Sequence, residues 1–169
     1  MVSIASRLLR ACAQDVHLLA PNVEDTSVVI VITGMTWWRR IIPLSRGRHL
    51  PGFSVVWPGQ PSLPVESRLE HKVLKALAAE STCVAIGSQP VTIRYSLNGS
   101  LRKYTPDFIA AIRSERSHTL VFIEVKPAAR LLEKSQTIAA LRRVVLLATA
   151  IPLVVVTDGM LEQLPDSRA

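Results

Sequence analysis

Two carboxylates and an amine stand within one short stretch of this chain. Asp107, Glu124 and Lys126 fall inside residues 104–126, YTPDFIAAIRSERSHTLVFIEVK. Two runs rich in β-branched and aromatic residues, 104–112 and 119–125, flank the polar link 113–118, which is the pattern of a β-hairpin. If the runs fold back symmetrically about that link, Asp107 falls opposite Glu124. Directly paired residues have Cβ atoms about 4.5–5.5 Å apart. Two ionised carboxylates that close repel, unless a cation lies between them or one takes up a proton. Side chains alternate along a strand, so Glu124 and Lys126 point the same way. Residues 120–123 are all apolar, as in a strand buried on both faces, and an ionised Glu at the end of such a strand is costly without a partner. Each residue alone also fits a strand emerging into solvent after ordinary turn chemistry. Their joint spacing points instead to a hydrolytic metal site.

The elements that must position these groups are legible on either side. Residues 1–20 suit a short amphipathic helix with Ile4, Leu8, Leu9 and Cys12 on one side. Residues 27–33, SVVIVIT, suit a buried strand ending at Gly34. Residues 36–64 are dense in Pro, Gly, Arg and Trp, which fits an irregular segment packed on, or flanking, the main core. Within them, Trp37, Trp38, Arg39, Arg40, Arg46 and Arg48 could meet a nucleic-acid backbone, although tryptophans are more often buried or at interfaces. A helix is expected from Pro64, with Ser62 or Ser67 as a cap and Val65, Leu69, Val73 and Leu77 at helical spacing. Glu66 reads as a surface charge, whereas Glu70 borders the apolar stripe. Short strands follow at 83–86 and 91–95, with Gly87-Ser88 as a turn. Asn98-Gly99 is a strong hairpin signal. A helix over 128–148, a strand over 152–157 and a mobile tail beyond Asp158 complete the chain.

At 169 residues the chain suits one domain able to bury a full core. Its 49% hydrophobic content argues against general disorder. A net charge of +7 favours a polyanionic partner, and no apolar run reaches the roughly 18 residues of a membrane span. Cys12 and Cys83 lack metal-type spacing and cannot make a disulfide framework, which fits a reducing, cytoplasmic setting. The N-terminus lacks a proper signal-peptide pattern. The expected division is an N-terminal extension, 1–60, followed by a domain over 61–169 with an α/β fold: a mixed central β-sheet flanked by helices.

Four blocks in order carry a family resemblance: E-S-R-L-E (66–70), Q-P-V-T-I-R-Y (89–95), Y-T-P-D-F (104–108) and I-E-V-K-P (123–127), followed by P-L-V-V-V-T-D (152–158). Together they resemble the N-terminal endonuclease domain of the TnsA family, the endonuclease subunit of certain cut-and-paste transposons, within the PD-(D/E)xK nuclease superfamily. The resemblance implies a restriction-endonuclease-like core, with Glu70, Asp107 and Glu124 as active-site acids and Lys126 as the catalytic lysine. Gln89 would support the site or the substrate. One departure is that the transposon endonuclease has Gln at the position of Glu124, where the wider superfamily usually has an acid.

The expected chemistry is metal-assisted phosphodiester hydrolysis. Asp107, Glu124 and the Val125 carbonyl offer hard oxygen ligands suited to Mg²⁺, with Mn²⁺ able to substitute, and Glu70 would hold a second metal or a metal-bound water. Lys126 would position the attacking water or stabilise the transition state. Arg94, Arg102, Lys103, Arg113, Arg116 and Arg130 would hold the DNA backbone without reading its sequence. The leading expectation is an endonuclease acting at transposon or other mobile-element ends, with a transposase or other recombination protein as a further partner. The alternatives are a repair or resolvase-type nuclease acting on DNA structure, and a DNA-binding assembly subunit without hydrolysis.

Overall fold

A computed structural model describes residues 3–16, 29–37, 52–114, 117–133 and 135–162. Among the described residues three sheets divide the strands. Strands β4 (Cys83–Ser88), β7 (Phe108–Arg113), β8 (His118–Val125) and β9 (Leu153–Val156) form a mixed four-stranded sheet in the order β4-β7-β8-β9. Strand β8 is antiparallel to β7 and parallel to β9. A parallel neighbour needs a long crossover, supplied here by helices α3 (Ala128–Glu133) and α4 (Ser135–Thr149). Strands β1 (Ile30–Thr36), β5 (Thr92–Leu97) and β6 (Ser100–Tyr104) form an antiparallel sheet in the order β1-β5-β6, and β2 (Gly52–Ser54) pairs with β3 (Leu63–Val65). This is the expected α/β architecture, a mixed sheet flanked by helices, consistent with a restriction-endonuclease-like core.

Alternation along β8 sorts the core into two halves. Val121, Ile123 and Val125 pack with Val73, Leu74 and Leu77 of α2 (Arg68–Ala78) and with Ile4, Leu8 and Cys12 of α1 (Ile4–Val16). Phe122 points the other way, into a cluster with Ile93, Tyr95, Val144, Val145 and Leu153. The stretch expected as an N-terminal extension therefore contributes directly to the packing: α1 buries its predicted apolar side, and β1 hydrogen-bonds to β5. Strand β1 differs from the expected buried strand in that its burial alternates, and Gly34 lies inside it at a register shift instead of ending it.

Four further boundaries differ, each for a local reason. The helix begins at Arg68, not Pro64, because Leu63–Val65 is drawn into a strand against Gly52–Ser54, and Ser67 is the cap. Gly87 and Ser88 continue β4, paired to Ile109 and Phe108, so the turn falls at Gln89. The long run expected from residue 104 is split: Tyr104 ends β6, and Thr105-Pro106-Asp107 crosses to the four-stranded sheet. Proline cannot donate to a ladder, which favours the break at that point. Residues Asp158–Glu162 form helix α5, whereas a mobile tail was expected there. The Asn98-Gly99 turn stands as predicted, with both residues at positive φ between paired strands. Among the described residues no helix is long and apolar enough to cross a membrane.

Candidate active site

Strand β8 runs buried from Val121 to Val125 and delivers Glu124, 5% exposed, at its end. The β7–β8 ladder pairs Phe108 with Ile123, so Asp107, one residue earlier, meets the end of β8 as the hairpin symmetry predicted. Its Oδ2 accepts the Val125 N–H at 2.7 Å. Lys126 follows at the strand's exit, and its Nζ lies 2.5 Å from Glu124 Oε1. The other oxygen, Oε2, accepts the Tyr104 hydroxyl at 2.6 Å. Glu124 is thus clamped between an ammonium from its own strand and a phenol from the neighbouring sheet.

Glu70 arrives from the other side, in the first turn of α2, and is 9% exposed. The Ser67 hydroxyl donates to its Oε1 at 2.9 Å and accepts the Glu70 N–H at 3.1 Å, while the Glu66 N–H donates to Oε2 at 2.7 Å. This is a variant of the capping box, in which cap and third-position side chains satisfy each other's backbone donors. Its charge still acts on both Asp107 and Lys126.

The electrostatics record this convergence. Burial first, and then the Glu124 charge, push the Asp107 carboxyl up to about 8 against the pull of the Val125 N–H. Burial likewise raises Glu70, opposed by its cap hydrogen bonds. Burial works against the Lys126 ammonium, but Glu124, Asp107 and Glu70 together outweigh it and hold the pKa above the ordinary lysine value. Burial and Glu124 keep Tyr104 a protonated donor. Among the described residues, Lys126 is the cation whose charge acts on both Glu70 and Asp107.

Gln89 sits in the turn beside these groups, buried and at φ 46°. Its N–H donates to the Asp107 carbonyl at 2.8 Å, and its Nε2 donates to Glu66 Oε1 at 2.7 Å. Its Oε1 is buried without a donor among the described residues. Turning the amide over would set oxygen against the Glu66 carboxylate, so the orientation follows from its partner.

The acids suit a hard cation in part. Asp107 and Glu124 offer oxygens at one strand end, and Mg²⁺ commonly binds through one or two carboxylates plus waters. As they stand, however, no three His, Cys, Asp or Glu among the described residues are gathered around one ion position. Glu124 is engaged by Tyr104 and Lys126, and Glu70 by its own cap.

The expected basic contacts are dispersed. Arg94 and Lys103 pair across β5 and β6 and are exposed, with Arg94 donating to Thr36 Oγ1 at 3.3 Å. Arg102 is exposed opposite Tyr95, Arg113 ends β7, and Arg130 is exposed on α3, just after Lys126. Trp37 rests against Phe122 with ring centroids 6.2 Å apart, which favours its packing reading. Arg116, Trp38, Arg39, Arg40, Arg46 and Arg48 lie outside the described residues. Sequence reasoning missed Tyr104 as a partner of Glu124 and gave Glu66 to the surface. Pro106 was the available signal for Tyr104, since it assigns that residue to the preceding hairpin.

Parts of the chain are similar to known proteins. Residues 80–158 match the family described as TnsA-like endonuclease N terminal, which bears out the resemblance read from the sequence. Asp107, Glu124, Lys126, Tyr104 and Gln89 lie inside the matched stretch, whereas Glu66 and Glu70 precede it. The chain is also 34% identical over 97 residues to an aspartate carbamoyltransferase catalytic subunit from Clavibacter sepedonicus. That match covers 52% of this chain and 30% of the relative, so the chain spans less than a third of its length.

Proposed function

We propose, from the TnsA-like endonuclease likeness of residues 80–158, that this chain is a metal-dependent DNA endonuclease. The observation that carries the reading is Glu124, buried at the end of β8 between Tyr104 and Lys126 and facing an Asp107 carboxyl raised by burial and then by that same charge. Asp107 and Glu124, with the Val125 carbonyl, would hold Mg²⁺ or Mn²⁺, and Glu70 would hold a water or a second ion. The ion would supply charge neutralisation at the phosphate and a water of lowered pKa. Tyr104 orients the Glu124 carboxylate. Lys126, kept charged by three acids, offers a compact positive charge to the phosphoryl oxygens as the leaving group departs. Gln89 supports the site from its turn, holding the Asp107 carbonyl through its backbone N–H and Glu66 through its side-chain amide. Arg94, Arg102, Lys103 and Arg130 contribute to holding the DNA backbone.

The biological setting that follows from the family is cleavage at transposon or other mobile-element ends, with a transposase or other recombination protein as partner. Nicking of supercoiled plasmid in Mg²⁺ or Mn²⁺ tests the chemistry. Wild type should nick, and Lys126→Ala should lose at least about 100-fold in rate while its circular dichroism and DNA binding stay unchanged. Full cleavage by that variant removes Lys126 from the mechanism. No nicking by wild type with either ion, on plasmid, branched or transposon-end DNA, leaves a non-hydrolytic assembly subunit.

A further inference from the structure

Next to the acids, on the outward face of α2, lies a hollow of about 430 Å³ lined by Gly52, Phe53, Val65, Ser67, Arg68, His71 and Lys72. Its two walls differ in chemistry. One is apolar: Phe53 on β2 is 76% exposed, and Val55 just beyond is 65% exposed. The other carries Arg68, His71 and Lys72, which helical spacing sets on one face. Among the described residues no acid lines the hollow, although Lys72 also acts on the Asp158 carboxylate. The hollow adjoins the site through one turn of helix, because Ser67 both lines it and donates to Glu70.

An exposed ring and two basic side chains lining one concavity match one class of polyanion. Single-stranded nucleic acid offers bases whose faces are uncovered, next to a phosphate at each step, and proteins that bind it combine aromatic platforms with basic grooves. In a duplex the base faces are already stacked. We infer that this hollow takes one unpaired nucleotide of the DNA strand leading to the cut, with its base against Phe53 and Val65 and its phosphate against Arg68, His71 and Lys72. The inference rests on the nuclease reading for its choice of DNA and adds a preference for unpaired strand beside the scissile bond.

The test is binding of a short fluorescein-labelled oligothymidylate and of a blunt duplex of equal length, by anisotropy in EDTA so that no cleavage intervenes. Wild type should favour the single strand. Phe53→Ala should weaken that binding at least about fivefold; the ring is exposed, so the fold should stand, which circular dichroism checks. Gly52→Val is the second variant. Among the described residues a Cβ there meets Val65 Cγ2 alone, at 3.8 Å, an ordinary contact, so the added methyls would occupy the hollow that Gly52 lines. It should produce the same loss with all charges intact. Arg68→Ala with Lys72→Ala should lower the slope of log affinity against log salt by about 0.7, the value for one phosphate contact on a single strand. Wild-type affinity in folded Phe53→Ala and Gly52→Val overturns the inference even if plasmid nicking succeeds. Selective loss in both variants supports it even if nicking fails, in which case the nuclease reading falls alone.

Discussion

At the scale of single residues, Glu124 is where the charges of this protein are reconciled. A buried carboxylate needs donors, and it receives two of different kinds, a phenol that burial keeps protonated and an ammonium that three acids keep charged. Tyr104→Phe removes the first. A hydrogen bond to a charged group contributes about 1.5–3 kcal/mol, so urea unfolding in EDTA should show a loss of that order, accompanied by weaker divalent-ion dependence of nicking. An unchanged midpoint would mean that Glu124 does not depend on Tyr104. Asp107 makes a prediction about pH. Its folded pKa of about 8 lies above the 3.8 of the free side chain, so between these values the folded state holds a proton that the unfolded chain has released. Stability of the metal-free protein should therefore be greatest at the acid end and fall as pH rises through this window. Asp107→Asn should flatten that dependence, and so should added Mg²⁺. A slope identical in wild type and Asp107→Asn would remove Asp107 as its source.

At the scale of elements, the site is built from ends. Glu124 and Lys126 leave β8, Asp107 enters β7, Tyr104 ends β6, and Glu70 lies in the first turn of α2. Ladder hydrogen bonds hold such positions on one side only, which leaves their side chains available for chemistry. Ser67 illustrates the dependence: it caps α2 and also donates to Glu70. Ser67→Ala should lower stability by about 1 kcal/mol, the usual effect of losing a cap. It should also reduce nicking by freeing the Glu70 carboxylate. Stability loss with full nicking would assign Glu70 to the helix alone.

At the scale of the whole molecule, the core joins segments far apart in the chain. Leu8 of α1 is fully buried against the half of the core that backs β8. Leu8→Ala should therefore cost about 2–5 kcal/mol, measured by urea unfolding, although no chemistry lies in that helix. A change below about 0.5 kcal/mol, the range of surface substitutions, would show that residues before 60 are an appendage after all. The net charge of +7 supplies long-range attraction for a polyanion. Local clusters such as Arg68, His71 and Lys72 decide where contact is made.

Local periodicity sufficed for much of this. The alternation and symmetric link of residues 104–126 implied the β7–β8 register, and hence that Asp107 meets the end of β8, because pairing in a hairpin is constrained by its turn. The apolar stripes of α1 and α2 and the Asn98-Gly99 turn were legible for the same reason, as each is decided by neighbours along the chain. Tertiary packing alone decided that Tyr104 would reach Glu124 from another sheet, that Glu66 would turn inward to Gln89, and that Leu63–Val65 would pair as a strand instead of opening a helix. The first two depend on partners 20 or more residues away and the third on a strand about ten residues upstream, brought close by a core whose packing no short window of sequence contains.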